Sequence, residues 1–195
     1  MRMIPGELKR PEGEINNIIF LSTQIMEPSL SIRFAGLEDI NTIGFLAQQI
    51  WPVTYGTIVP PEQLAYMLSL IYNPDALRRQ MVEDRHSFLM VEEEDEPIGF
   101  AAWSPLEEWG LFKLHKLYVL NGRQGKGLGK AMLQFIYQDI RERGGQVLQL
   151  NVNRYNRARE FYEKMGFRVI REEDIPIGHG YFMNDFVMEA AVPAV

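Results

Sequence analysis

Arg123-Gln-Gly-Lys-Gly-Leu-Gly-Lys-Ala131 follows an apolar, β-prone stretch (Leu114, Leu117, Tyr118, Val119, Leu120) and opens a helical pattern (Met132, Leu133, Phe135, Ile136, Ile140). The order is strand, glycine-rich loop, helix start. Glycines let backbone approach a ligand closely, and the free amides of a helix N-terminus attract anions. The run therefore points to a phosphate-bearing ligand.

Outward from this loop the pattern is regular from Ser29 onward. Ser31 to Phe34 reads as a short strand and Leu37 to Ile50 as a helix, with Glu38 and Asp39 at the positive end of its dipole. Pro52, Gly56, Pro60 and Pro61 break the chain into a loop before a second helix, Glu62 to Ile71, and Asn73-Pro74-Asp75 starts a third that runs to Asp84. Ser87 to Glu92 and Pro97 to Trp103 predict a hairpin around the acidic stretch Glu92 to Glu96, whose simplest reading is a solvated turn. A strand over Leu111 to Leu120 leads into the loop, and the helix beyond it runs to Arg143, where Gly144-Gly145 supplies a C-cap. Val147 to Val152 predicts a strand and Ala158 to Met165 a short helix ended by Gly166. Phe167 to Ile170 and Tyr181 to Met188 close the chain as strands. Strands outnumber helices and cluster mid-chain, which predicts a mixed α/β (α+β) sheet with helices on its faces. Residues 1–28 mix Pro, Gly and charge without periodicity and read as an arm, with an extra strand over Asn17 to Gln24 as the alternative; residues 29–190 read as one domain and 191–195 as a tail.

The 195 residues, 46% apolar and 24% charged, match an ordinary globular chain, and no apolar run approaches the roughly 18 residues of a membrane helix. The start lacks the apolar core of a signal peptide, so a cytoplasmic location is expected. Zero cysteines exclude a disulfide framework, a thiolate metal site and a Cys nucleophile; no metal is expected. A net charge of −6 argues against a nucleic-acid partner and suits a cationic substrate.

Three phosphate chemistries compete for the loop. A Walker A loop requires Gly, four residues, then Gly-Lys-Ser/Thr; Gln124 and Ala131 occupy the two outer positions, so the hydroxyl that holds Mg²⁺ is missing. A dinucleotide fingerprint G-x-G-x-x-G would place its last glycine at Lys130 or Met132, and fails as well. Gln124-Gly125-Lys126-Gly127-Leu128-Gly129 has the form Gln/Arg-x-x-Gly-x-Gly/Ala, and in it the chain resembles the GNAT N-acetyltransferase superfamily. Downstream, Leu150-Asn-Val-Asn-Arg-Tyr-Asn156, Ala158, Phe161-Tyr162 and Gly166-Phe167 resemble the family's strand–loop–helix segment, except that Asn156 stands one residue closer to Ala158 than usual. The two motifs span residues 111 to 170.

The resemblance implies a GNAT-like fold with a central, twisted, mostly antiparallel sheet between helices, and acetyl-CoA as cosubstrate. It implies that Gln124, Gly125, Lys126, Gly127, Leu128, Gly129 and Lys130 hold the pyrophosphate. It also implies that a bulge splays the preceding strand, where the backbone of Leu117, Tyr118 and Val119 meets the pantetheine arm and an amide of Leu117 or its neighbour faces the thioester oxygen. Asn153 or Asn156 makes the side-chain contact to the cofactor, and Tyr162 occupies the family position of the general acid. Many members carry a Glu base on the bulged strand; here His115 lies in that neighbourhood, and strand alternation would put Lys113, His115, Leu117 and Val119 on one face.

Trp51 and Tyr55, in the stretch joining the first two helices, are expected to wall the acceptor site, a cation–π contact included. This stretch, the helix Glu62 to Ile71 and the closing Tyr181 to Glu189 together loosely resemble the PaiA-like branch associated with polyamine acetylation. The expected reaction is acetyl transfer to a primary amine by direct attack, the acceptor being a small molecule such as a polyamine. A protein or peptide acceptor and a noncatalytic acyl-CoA-binding module are the alternatives, and a homodimer is the family-level expectation.

Overall fold

A computed structural model describes residues 29–194; the expected N-terminal arm and the alternative strand at Asn17 to Gln24 lie outside them. Seven strands, β1 (Leu30–Ala35), β2 (Ser87–Glu93), β3 (Glu96–Pro105), β4 (Leu111–Val119), β5 (Val147–Asn153), β6 (Arg168–Gly178) and β7 (Tyr181–Ala191), form one sheet in the order β1-β2-β3-β4-β5-β7-β6. Every pairing is antiparallel except β4 with β5. This is the mixed, mostly antiparallel sheet that the sequence predicts.

Alternation along the strands builds two cores. Phe88, Met90, Phe100 and Ala102 point to one face and pack on α1 (Ile40–Tyr55), α2 (Pro61–Tyr72) and α3 (Pro74–Val82). Leu89, Val91, Ala101 and Trp103 point to the other, against α4 (Leu128–Glu142) and α5 (Ala158–Lys164). Trp103 is fully buried, and its indole N–H donates to Asp139 Oδ2 of α4 at 2.7 Å, so one side chain fastens sheet to helix by area and by a bond.

Two expectations are corrected. The stretch Trp51 to Tyr55 is helical, because α1 continues through Pro52. Proline removes one backbone donor and strains the turn before it, but Trp51 is 3% exposed against the sheet and its ring lies 4.7 Å from that of Tyr55, so packing outweighs the lost bond. The strand expected to end at Ile170 instead runs to Gly178. Its second half, Arg171 to Asp174, is charged and half exposed on an edge strand, and Pro176 falls beside a register shift; such a segment carries no clean apolar alternation. Elsewhere the predicted elements stand within a few residues: Asn73 Oδ1 caps α3 by accepting from the Ala76 N–H at 2.8 Å, and Gly144 (φ +78°) follows the end of α4.

Trp103→Ala is expected to cost about 3–5 kcal/mol, mainly through the cavity, with the lost bond to Asp139 (which keeps Arg143 as a partner) adding to it. Thermal denaturation reads this as a melting-point drop on the order of 10 °C; a drop under about 2 °C would show that β3 and α4 are held otherwise.

Candidate active site

The site begins where β4 stops pairing with β5. Their parallel ladder covers only Leu111↔Val147 through Leu114↔Leu150. Beyond it β5 turns to β7, and β4 stays with β3 alone. The divergence coincides with a bulge: Ala102 of β3 opposes Lys116 and Trp103 opposes Leu114, so His115 is the extra residue. The Leu120 N–H donates to Ile98 O of β3, and by alternation the N–H and C=O of Leu117 and Val119 point into the gap. The Val119 carbonyl there accepts from Gln124 Nε2 at 3.2 Å. Unpaired strand edge is costly inside a protein unless something pairs with it, so the gap has the form of a slot for an extended, amide-bearing ligand.

A cleft of about 1040 Å³ runs through this gap. Its walls are Leu114 to Val119 on β4, Leu150 to Val152 on β5, the end of α1 and, at one end, Gln124, Gly125 and Gly127 to Lys130. Gly125 and Gly127 adopt φ of +82° and +80°, and a Cβ on either would project into open space, so the left-handed backbone and not crowding calls for glycine. No side chain caps α4 at Gly127. The first-turn N–H groups beyond Gly127 are therefore left for an anion at the cleft wall, since intrahelical bonding starts only at Ala131 N–H to Gly127 O. Gly129 has a different reason: a Cβ there would lie 2.9 Å from Phe161 Cζ, so α4 and α5 touch because this position has no side chain.

Tyr162 lies on α5, buried, and borders the cleft. Burial, with a smaller push from Tyr55, raises its phenol pKa above the ordinary value, so it stays protonated at neutral pH. Tyr55 and Tyr118 meet hydroxyl to hydroxyl at 3.1 Å. Both line the cleft and also a second, smaller pocket of about 220 Å³ between α1, α2 and the sheet. Trp51, Gln63, Phe182, Lys113, Asn153 and Asp185 are among the residues of that pocket. Trp51 and Tyr55, expected at an acceptor wall, are thus brought together there.

The structure separates other residues that the sequence groups. Asn156 borders the large cleft and accepts from the Ala158 N–H at 2.9 Å, whereas Asn153 lies in the small pocket and accepts from the Tyr155 N–H at 3.0 Å. Lys126 does not line the cleft; it and Arg123 turn to Glu93 instead. Lys130 does line it. The bulge also breaks the alternation expected along β4. Leu117 and Val119 pack toward α4 and α5, while the His115 ring stacks on His86 at 4.0 Å and meets Ser104 Oγ at 2.9 Å. Burial, then His86 and the ammonium groups of Lys116 and Lys113, hold the His115 pKa down to about 2. Burial likewise lowers His86 to about 4.

Sequence reasoning did not single out Asp185. It is 1% exposed on β7, neither carboxylate oxygen meets a hydrogen-bond donor, and burial pushes its pKa up to about 6. Its signal in the chain is an acid in the middle of an apolar strand, Phe182-Met-Asn-Asp-Phe-Val-Met188. No helix among the described residues is long and apolar enough to cross a membrane, and no group of three or more His, Cys, Asp or Glu side chains there is placed to hold a metal ion.

The sequence model of the acetyltransferase (GNAT) domain matches residues 59–179. The chain belongs to the GNAT family of acetyltransferases. This GNAT enzyme uses acetyl-CoA as cosubstrate. It is 36% identical over 108 residues to the [ribosomal protein bS18]-alanine N-acetyltransferase of Haemophilus influenzae, covering 54% of this chain and 72% of that protein. It is 25% identical over 166 residues to the spermidine N(1)-acetyltransferase of Thermoplasma acidophilum, covering 83% of this chain and 96% of that protein. The crystal structure of PaiA N-acetyltransferase from Thermoplasma acidophilum in complex with coenzyme A superimposes with a TM-score of 0.72 at 26% identity, over 84% of this chain and 99% of that one.

The histidine stack makes stability depend on pH. The unfolded chain takes up protons on its imidazoles below about pH 6.5. In the folded state His86 refuses a proton until about pH 4 and His115 until about pH 2. The unfolded state then binds more protons, so unfolding free energy falls as pH drops from about 6.5 toward 4. Asp185, raised to about 6, works in the opposite direction below that pH and offsets part of the loss. Urea denaturation at pH 7.5 and pH 5 is expected to show lower stability at pH 5, with the difference reduced in His115→Asn; an equal difference in the variant would contradict this account.

Proposed function

We propose that the large cleft holds acetyl-CoA and that the small pocket presents a primary amine to its thioester, giving direct acetyl transfer with no acyl-enzyme. The observation that carries this reading is the one gap in the sheet, into which the amide edge of Leu117 and Val119, the loop Gln124 to Lys130 and Tyr162 all face. Gly125, Gly127 and the first turn of α4 would receive the pyrophosphate. The Leu117 and Val119 backbone would pair with the pantetheine amides, and the Leu117 N–H would meet the thioester oxygen. Asn156, at the cleft, is the asparagine assigned to the cofactor. Tyr162, kept protonated by burial, supplies the proton that the departing thiolate requires. The base role expected of His115 is not favoured: its ring is engaged by His86 and Ser104, and burial holds its pKa well below that of a free imidazole.

A small cationic amine is the acceptor class favoured. The pocket of about 220 Å³ has room for an alkylamine chain, its walls include Trp51, Tyr55 and Tyr118, and Asp185 adds a carboxylate. The spermidine N(1)-acetyltransferase matches along 96% of its own length, which supports a polyamine acceptor. The alternative is an N-terminal alanine, favoured by the higher identity to the bS18-alanine enzyme.

Acetyl-CoA at about 100 times its Kd is expected to stabilise the fold by about 2.7 kcal/mol, read as a rise in melting temperature. Gly127→Glu, which puts a strained residue and a negative charge at the phosphate end, should abolish that rise; a variant that keeps it would remove the loop from the donor site. In a thiol-release assay, Tyr162→Phe is expected to lower kcat by about a hundredfold with little change in coenzyme A affinity. A loss smaller than threefold would take Tyr162 out of the acid role.

A further inference from the structure

The small pocket contains a charge that the donor side of the reaction does not use. Asp185 is 1% exposed, and both its carboxylate oxygens lack a hydrogen-bond donor. A buried carboxylate without donors is expensive, and proteins ordinarily pair it or replace it. Here the charged neighbours on the packed elements either bond other groups or stand too far off to pair with it. On β4, Lys113 faces the same pocket but makes no ion pair with Asp185 among the described residues, and burial holds its pKa below the ordinary value. Lys116 bonds Gln80 Oε1 at 2.6 Å, and His115 is neutral. On β5, the Asn151 amide bonds Glu173 at 3.5 Å and, from beyond close bonding distance, still steadies the Asp185 carboxylate. Arg154, in the turn after β5, binds Glu172 and Asp174. On β6, Glu173 is the cross-strand partner of Asp185 and repels it. On α1, Tyr55 is close enough for the Asp185 charge to raise its phenol pKa further.

The carboxylate therefore has no close ion pair among the described residues, only the more distant charges of Lys113 and Arg154, and the pocket it lines has aromatic walls from Trp51, Tyr55 and Tyr118. An anion among aromatic faces is a receptor for an ammonium group. Tyr55 and Tyr118 also border the large cleft, so an amine held in this pocket is next to the place where the thioester is read to lie.

We propose that Asp185 receives the ammonium of the acceptor and takes its proton. The step rests on the reading of the protein as an acetyl-CoA-dependent amine acetyltransferase. The ammonium gives one proton to the Asp185 carboxylate, which later releases it to solvent. The neutral nitrogen then forms the C–N bond to the thioester carbonyl carbon as the C–S bond breaks. The second nitrogen proton leaves during that collapse, and the thiolate gains one from Tyr162, whose hydroxyl is restored by the proton that nitrogen lost. Burial makes Asp185 more basic than a carboxylate in water, and with its pKa pushed up to about 6 the group is still mostly ionised at neutral pH.

The test uses the full chain with acetyl-CoA and two acceptors, spermidine and a peptide with N-terminal alanine. Wild type is expected to acetylate at least one, with kcat/KM falling tenfold per pH unit below about pH 6. Asp185→Asn should lower kcat/KM at pH 7.5 by about a hundredfold and lose the acid limb, while coenzyme A affinity by calorimetry stays within twofold. Activity of Asp185→Asn within threefold of wild type, or an acid limb that persists in it, overturns the proposal. Should the variant fail to fold, the wild-type profile decides, and a flat kcat/KM between pH 5 and 7 overturns the proposal. Wild type that binds coenzyme A and acetylates neither amine overturns the role of Asp185 and leaves the donor reading standing. Wild type that does not bind coenzyme A overturns the donor reading itself.

Discussion

The parallel ladder between β4 and β5 ends at Leu114↔Leu150, and the rest of the site follows from that ending. A sheet with its strands paired throughout would be a wall. By parting here, the sheet leaves the amide edge of Leu117 and Val119 open, and the bulge at His115 sets which side chains turn to which face. The glycine loop lies just beyond the end of β4, so the helix start it forms is delivered to one end of the gap. The end of β5 feeds the turn and α5, which brings Asn156 and Tyr162 to the same cleft. Two short segments of chain, each leaving one of the diverging strands, thus converge on a single opening.

The two faces of the sheet divide the work. Toward α4 and α5 the buried residues are apolar throughout the shared core, and Tyr162 is its polar exception at the cleft. Toward α1 and α2 the C-terminal half of the sheet is polar, with Lys113, Asn151, Asn153 and Asp185 in the small pocket. Tyr55 and Tyr118 stand where the two spaces join. In the proposed reading this arrangement would let both reactants be held at once, as direct transfer requires, in a chain that has no cysteine to carry an acyl group.

Most of the fold was legible because it rests on local signals. Continuous apolar runs mark β2 and β3, apolar alternation marks β5, Asn73 marks the start of α3, and Gly144-Gly145 marks the end of α4. The run through Pro52 and the charged half of β6 were not legible, since each is decided by what it packs against or pairs with and not by its own composition. The glycine-loop end of the large cleft was legible for the same local reason: a loop and the helix it opens are contiguous in sequence. The small pocket was only half so. Trp51 and Tyr55 stand out as aromatics beside a proline, but the role of Asp185 depends on what fails to pair with it, and that emerges only when β4, β5, β6 and α1 are assembled around it. His115 shows the converse, because as the extra residue in β4 it parts from Leu117 and Val119, with which alternation grouped it on one face.

Gly129 and Phe161 touch so closely that even a methyl group would force them apart. The contact joins the helix that carries the phosphate end of the cleft to the helix that carries Tyr162. In the proposed reading, the two points where the protein grips its donor belong to one rigid unit, and the spacing between them is set before any ligand arrives. The pair then acts as a ruler for the thioester arm. Recognition would rest on the length of the donor between its phosphates and its sulfur as much as on the chemistry at either end.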